Sequence, residues 1–223
     1  MSEIRDGEKK AVRTDKSQLT LELTGAAIFS ALSIVTGVFL MPTVTEALRI
    51  PGWFIAIIDL ISLVWIICFL LFGVRAGIIC SVIGAIGLMP FDPTGWVGPT
   101  MKLTATLSLI SISIIFLKLY KREEGVINSQ KLKKPRNYIF YGVLGTLFRM
   151  LVMTIMNIIV ILALYSFLLP TITLEFLGLP QISGMTAVMI GAPIINAWQS
   201  ALDLGIPYAI VFGPKLDEKF EIW

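Results

Sequence analysis

Four ionisable side chains lie inside otherwise apolar stretches, and their spacing allows ion pairing: Asp59, Lys102, Arg149 and Asp203. A charge at the middle of a bilayer costs about 2.5–3.5 kcal/mol even on mild scales, so each needs a partner or water. Counting residues from the ends of the stretches puts Asp59 and Lys102 at one depth, and Arg149 and Asp203 at another. We therefore predict two ion pairs, Asp59–Lys102 and Arg149–Asp203. The second is interpreted as structural, whereas the first fits a structural role and substrate binding equally well.

Neutral polar side chains lie near the same depth, at Asn157, Asn196 and Gln199. Asn196 and Gln199 are three residues apart, so on a helix they share one face. That face is expected to point inward, because lipid cannot satisfy an amide. Hydrogen bonding between helices explains many such residues. With the aromatic Trp96 and Trp198 nearby, the same set is also typical of a small-molecule pocket, and both interpretations stay open.

Several kinds of chemistry are excluded by composition. The chain has no histidine, which removes His-based nucleophilic catalysis and every His-ligated metal site. Its two cysteines, Cys68 and Cys80, lie within apolar stretches and are typical of small core residues. No G-x-x-x-x-G-K-[ST] string occurs, so nucleotide hydrolysis would have to come from another protein. We predict no catalytic residue, no metal ligand and no resident cofactor.

The elements that position these residues are predicted to be membrane-spanning helices. Of the 223 residues, 56% are hydrophobic and 15% are charged, against about 25% charged in soluble domains. The mean hydropathy is +0.86, and apolar stretches near the length of a bilayer crossing recur along the chain. The predicted fold is therefore an all-α membrane protein with a polar tail at 1–20, a membrane domain at 21–212 and a short tail at 213–223. Its six spans are predicted at 21–41, 53–72, 74–90, 98–119, 139–168 and 185–212.

The distribution of Lys and Arg predicts the orientation of these spans. Five lie in the N-terminal tail, one at Arg75, seven in residues 118–136 and two after the last span. The opposite loops hold only Arg49. Such asymmetry is typical of a protein whose basic loops and both termini are cytoplasmic. Trp53 and Tyr165 are expected in the aromatic belt at the membrane interface.

Small residues on the first span predict a packing surface. Ala27 and Ala31 are four residues apart, so they lie on one helix face and allow another helix to approach closely. This pattern is common in membrane proteins and by itself indicates only that some helix packs there.

Four strings in this sequence resemble the substrate-binding S components of energy-coupling factor (ECF) vitamin transporters, in particular the riboflavin-specific branch. They are DLISLVWIICFLLFGVRAGI (59–78), GPTMKLTATL (98–107), VMTIMNIIV (152–160) and APIINAWQ (192–199). The resemblance covers roughly residues 21–212. It implies a vitamin pocket open to the outside, with amides of the fifth and sixth helices on the flavin ring.

In this sequence, Asn157 and Asn196 occupy the positions of those two amides. Gln199 stands where riboflavin-specific members typically have lysine, and Lys102 stands where they often have asparagine. With Asp59 and Trp96, these residues make up the predicted substrate-binding set. The pocket is expected among spans 4, 5 and 6, closed by the loops at 42–52 and 90–99.

The resemblance also implies partners and a location. Ala27 and Ala31 match the face that meets the membrane-embedded T component, and two ABC-type ATPase subunits would supply ATP hydrolysis. The protein is expected as a multi-pass protein of the plasma membrane that carries riboflavin as transported ligand and binds no nucleic acid.

Three alternatives differ in cargo or class. The cargo could be another vitamin, such as pantothenate, niacin or a folate, because an unpaired Lys102 would suit a carboxylate. The chain could also be an intramembrane enzyme, such as a protease or a lipid transferase. Against this, it has no histidine, no D-x-x-D-G string and no convincing Ser/Lys dyad. A self-contained secondary transporter would be larger and show internal repeats.

Overall fold

A computed structural model describes residues 2–51, 53, 55–119 and 128–220 of the chain. Helices dominate these residues: α1 Ser2–Val35, α2 Met41–Ala47, α3 Leu60–Phe72, α4 Val74–Leu88, α5 Val97–Leu119, α6 Asn128–Lys133, α7 Pro135–Leu164, α8 Gly184–Phe212 and α9 Leu216–Phe220. A π-helical turn joins α1 to α2, and 3-10 turns cover Ser166–Thr171 and Glu175–Leu177. Two short antiparallel strands, β1 Thr173–Leu174 and β2 Leu179–Ser183, form a small hairpin before α8.

Within the part of the chain that the structure describes, three helical segments are long and apolar enough to cross a membrane. They are Ser17–Ala47 with 31 residues, α5 with 23 and α7 with 30. The apolar helices α3 and α4 have 13 and 15 residues, which at about 1.5 Å per residue is less than the hydrocarbon thickness. The prediction of a helical membrane fold is thus confirmed in outline, while six crossings and the side on which the termini lie stay predictions.

The boundaries of the predicted spans agree with the helices in some places and not in others. The ends of α4, α5 and α8 lie within two residues of the spans predicted at 74–90, 98–119 and 185–212. Helix α1 continues through residue 20, where the polar tail was predicted to end. The predicted loop at 42–52 contains all of α2 except its first residue, Met41, and α7 ends at Leu164 rather than 168.

The second span was predicted from residue 53, and this start is wrong. Helix α3 begins at Leu60 because the carboxylate of Asp59 caps it, accepting a hydrogen bond from the backbone N–H of Ile61 at 3.1 Å. The described residues before the cap, 48–51, 53 and 55–57, turn back on themselves and are here called the 48–57 loop. In this loop the N–H of Ile57 donates to the carbonyl of Leu48 at 3.0 Å.

Helix α3 lies at the centre of the bundle. It packs against α1, α4, α5 and α8, and its Trp65, Ile66 and Cys68 are buried in the main apolar core. A second apolar cluster lies at the end of the bundle where α3 and α8 begin, here called the loop end. It joins the 48–57 loop, the β1–β2 hairpin and the start of α8 through Trp53, Leu174 and Val188.

The opposite end of the bundle, here called the basic end, holds α6 and α9. The ammonium of Lys133 binds the carboxylates of Asp217 and Glu218 at 3.1 and 2.6 Å. The hydroxyl of Tyr208 donates to the carbonyl of Lys133 at 2.8 Å. The predicted C-terminal tail therefore contains a short helix, α9, that is tied to Lys133 at the end of α6.

Candidate functional site: a neutral polar cluster inside the bundle

Arg149 lies at the centre of a polar cluster between α7 and α8. Its guanidinium donates to the carboxylate of Asp203 at 2.6 Å, to Oδ1 of Asn196 at 3.2 Å and to Oε1 of Gln199 at 3.3 Å. Only 2% of Arg149 is exposed. The three acceptors recur at intervals of three and four residues, which places them on one face of α8. The predicted Arg149–Asp203 ion pair is confirmed. The guanidinium of this pair also binds the two predicted amides, Asn196 and Gln199.

Both amides of this cluster also bind the backbone. The amide N–H of Asn196 donates to the carbonyl of Ala192 at 2.9 Å, and that of Gln199 donates to the carbonyl of Ala56 at 2.9 Å. The second bond ties the 48–57 loop to the middle of α8. The hydrogen bonds of Asn196 and Gln199 thus already order the protein, whatever they do for a ligand.

The predicted Asp59–Lys102 pair is also confirmed. The ammonium of Lys102 donates to Oδ2 of Asp59 at 2.8 Å, and the hydroxyl of Ser62 donates to the same oxygen at 3.2 Å. Asp59 is buried, whereas 23% of the Lys102 side chain is exposed. Within the described residues, the Lys102 ammonium makes this one side-chain hydrogen bond, so two of its three N–H donors face other groups or solvent.

The two ion pairs lie in the same part of the bundle, because α3 packs against α8 and Gln199 of the Arg149 cluster binds the carbonyl of Ala56, three residues before Asp59. Two carboxylates, one ammonium and one guanidinium sum to zero charge. The cluster is therefore electrically neutral while it remains rich in hydrogen-bonding groups.

The other predicted site residues lie apart from the cluster. Asn157 is half-buried on α7, and its amide N–H donates to the carbonyl of Met153 on the same helix at 2.7 Å. Trp96 is 58% exposed and Trp198 is similarly exposed, so both rings lie on the surface. The structure thus brings Asp59, Lys102, Asn196 and Gln199 together, and a binding role for any of the six remains a prediction.

Trp53 is placed differently from its predicted position in an interfacial belt. It is 5% exposed, its indole N–H donates to the carbonyl of Thr173 at 3.0 Å, and its ring meets Phe176 edge-on at 6.3 Å. The side chain packs on Gly191 of α8, where a Cβ would collide with it. Trp53 therefore connects the 48–57 loop to the β1–β2 hairpin. Hydropathy alone gives no signal for this, since a Trp beside Pro51 suits a membrane interface equally well.

The predicted packing surface on α1 is open. Ala27 and Ala31 are exposed, while Ala26, Ser30 and Ser33 on the other side of the helix are buried against the bundle. Two small exposed residues four apart leave space for a second helix to approach.

Taken together, long apolar helices and a neutral polar cluster buried between them define a helical membrane protein. Among the described residues, no group of three His, Cys, Asp or Glu side chains could hold a metal ion.

Residues 21–211 match the family model described as the ECF transporter, substrate-specific component. The match covers most of the chain, so the protein belongs to this family and is a membrane protein with the role of a substrate-specific transporter subunit. The predicted family is confirmed, and the match does not specify a riboflavin branch. No curated protein and no solved structure matches the chain.

Proposed function

We propose that this chain is a six-span plasma-membrane protein that captures a neutral vitamin, riboflavin first among them, from outside the cell. The observation that carries the choice of cargo is the charge balance of the buried cluster. Asp59 is paired with Lys102 and Asp203 with Arg149, so a bound anion would find no uncompensated positive charge there. A neutral ligand with several donors and acceptors suits such surroundings.

Two groups keep hydrogen-bonding capacity for a ligand. Asn157 donates to its own helix, which leaves its carbonyl oxygen available among the described residues. Lys102 is part-exposed and has two N–H donors beyond the one that binds Asp59. By this proposal they contact the cargo directly, while Asn196 and Gln199 contact it from within the Arg149 cluster.

The cover of the pocket is proposed at the loop end. The 48–57 loop and the β1–β2 hairpin meet through Trp53 and Thr173, and the loop reaches Gln199 through the carbonyl of Ala56. The predicted cover at 90–99 is less suited, because Phe91 and Trp96 of that segment are exposed.

Absorbance of the purified protein tests the cargo. A preparation that carries riboflavin is yellow, and calorimetry on protein stripped of ligand measures the affinity. Asn157→Leu is expected to weaken binding about tenfold through one lost hydrogen bond. Thr146→Val is the matched control, because Thr146 donates to the carbonyl four residues earlier on the same helix, as Asn157 does. Colourless protein that does not bind added riboflavin contradicts the assignment.

A second cargo class is favoured by one observation, the part-exposed ammonium of Lys102. Pantothenate, niacin and folates carry a carboxylate that this group could bind. Substituting Lys102→Met together with Asp59→Asn separates the classes, because it removes the cation an anionic cargo needs without leaving the buried Asp59 carboxylate unpaired, and it leaves a neutral cargo with one fewer donor. The second class is favoured if the wild type binds pantothenate or niacin but not riboflavin, and if the variant binds that anionic vitamin much more weakly.

The partners are proposed from the family. A T component would dock on the exposed Ala27 and Ala31 of α1, and two ABC-type ATPases would drive uptake. An Ala27→Trp/Ala31→Trp variant is expected to bind the vitamin normally and to lose co-purification with the T component. Loss of vitamin binding in this variant contradicts the separation of the two surfaces.

A further inference from the structure

A groove of about 510 Å³ runs between α7 and α8, beside the Arg149 cluster and toward the basic end. Helix α8 lines it with Ala197, Ala201 and Gly205, and helix α7 lines it with Gly142, Val143 and Leu147. The volume lies within the usual range for small-molecule sites, and the lining is almost entirely apolar.

The groove exists because α8 presents small residues at intervals of four where the two helices face each other. A Cβ added at Gly205 would meet nothing within 4 Å. The helices cannot close over this space, since they are fixed on both sides of it. Arg149 binds Asp203 at 2.6 Å, and the hydroxyl of Tyr138 donates to the carbonyl of Leu204 at 2.9 Å.

The open side of the groove is lined by exposed apolar side chains, as expected of a surface that meets the hydrocarbon of a membrane. Ile139, Val143 and Leu147 line it and are each more than half exposed. All three belong to α7, one of the helices long and apolar enough to cross the membrane. A hydrocarbon chain is therefore the occupant that fits the groove along its length.

The end of the groove at the basic end carries positive charge. Pro135 lines the groove, and its neighbours Lys134 and Arg136 are exposed. Lys133 is taken up by Asp217 and Glu218, whereas Lys134 and Arg136 have no ion-pair partner among the described residues. Basic residues at the membrane end of an interhelical groove attract anionic phospholipid headgroups.

We propose that this groove binds an anionic phospholipid. One acyl chain lies along Ala197, Ala201 and Gly205, and the phosphate headgroup lies at Lys134 and Arg136. The proposal depends on the membrane location of the chain and not on which vitamin it carries.

Native mass spectrometry of the full-length protein tests this, using micelles doped with dioleoylphosphatidylglycerol or with dioleoylphosphatidylcholine. The wild type is expected to retain one phosphatidylglycerol and to discriminate against phosphatidylcholine. Each cation near the surface strengthens binding about fivefold, so Lys134→Gln/Arg136→Gln is expected to bind phosphatidylglycerol about 25-fold more weakly. Arg75→Gln is the matched control, because Arg75 is an exposed cation on another helix.

A second pair of variants tests the groove itself. Gly205→Phe fills it and is expected to abolish retention of the lipid, whereas Gly205→Ala leaves most of the space and is expected to retain it. Circular dichroism checks the fold of each variant, and the surface variants at Lys134 and Arg136 decide the question if Gly205→Phe unfolds. Equal retention of the two lipids by the wild type overturns the proposal. Retention unchanged in folded Gly205→Phe, or lost equally in Arg75→Gln, also overturns it.

Discussion

Removing one member of the Arg149–Asp203 pair is expected to destabilise the protein far more than removing both. Arg149→Leu leaves the carboxylate of Asp203 buried without its guanidinium, and Asp203→Leu leaves the guanidinium without its carboxylate. Arg149 is 2% exposed and Asp203 is similarly buried, so neither charge can reach water. Breaking a buried pair in this way costs about 3–5 kcal/mol of unfolding free energy.

The double variant Arg149→Leu/Asp203→Leu removes both charges. The destabilisation that remains comes from the side-chain oxygens of Asn196 and Gln199, which lose their hydrogen-bond donor. Oδ1 of Asn196 and Oε1 of Gln199 lose the donors that now lie at 3.2 and 3.3 Å, at about 1–3 kcal/mol for each unsatisfied group. Arg149→Leu bears the same amide cost in addition to the unpaired carboxylate. The double variant is therefore expected to be about 3–5 kcal/mol more stable than Arg149→Leu.

Equilibrium unfolding in mixed micelles, followed by far-ultraviolet circular dichroism, measures these differences. Asp203→Asn is a useful control, since it keeps a hydrogen-bond acceptor and removes only the charge. If the double variant is no more stable than Arg149→Leu, charge pairing is not what stabilises this cluster. If the double variant is stable but no longer binds the vitamin, the pair acts in recognition and the structural interpretation is refuted.

Four further perturbations have expected outcomes. Gly205→Ala is expected to raise the unfolding free energy by about 0.5–1 kcal/mol, since a Cβ there meets nothing and Ala favours helix. Gly145→Ala is expected to lower it by about 1–3 kcal/mol because its Cβ would meet a backbone carbonyl of α5, and thermal melts compare the two. Trp53→Phe is expected to cost about 1 kcal/mol through the lost indole bond and Trp53→Ala about 3–5, measured in the same melts. The hydrogen bond from Lys133 lowers the pKa of Glu218 below its usual value of 4.5. The stability that this bond gives to α9 is therefore fully present above pH 4.5 and is lost as the pH falls below that value. The rate of amide hydrogen exchange in α9, corrected for intrinsic rates, is expected to rise below pH 4.5. Lys133→Met is expected to remove this pH dependence.

The two ion pairs could be predicted from the sequence because lipid leaves a charge few options. Asp59, Lys102, Arg149 and Asp203 each needed a partner at its own depth, and the spacing within the helices allowed only one simple pairing. The depths of Arg149 and Asp203 follow from counting along their helices, α7 and α8. Asp59 was counted from residue 53, and it lies at the cap of α3 and not inside a helix.

The loop end could not be predicted in the same way. Hydropathy does not distinguish an apolar helix from an apolar loop, so residues 53–59 were included in the second span. The Asp59 cap defines where the helix starts, but an Asp within an apolar stretch indicated only a charge partner, and its role as a helix cap was not predicted. The burial of Trp53 depends on the β1–β2 hairpin, which is distant in sequence and gives no periodic signal.

The candidate site shows why an intramembrane polar residue is weak evidence for ligand contact. The cost of amides in lipid predicted only that Asn196 and Gln199 face inward, and in the structure Arg149 binds both amide oxygens while one N–H of each amide donates to a backbone carbonyl. Recognition is better sought at groups with capacity left over, which are the carbonyl of Asn157 and the ammonium of Lys102 among the predicted residues. Since Asp59 neutralises that ammonium, a ligand gains hydrogen bonds from it and little net charge attraction. This is the physical reason to expect a cargo chosen by shape and hydrogen bonding, with an affinity that changes little with ionic strength.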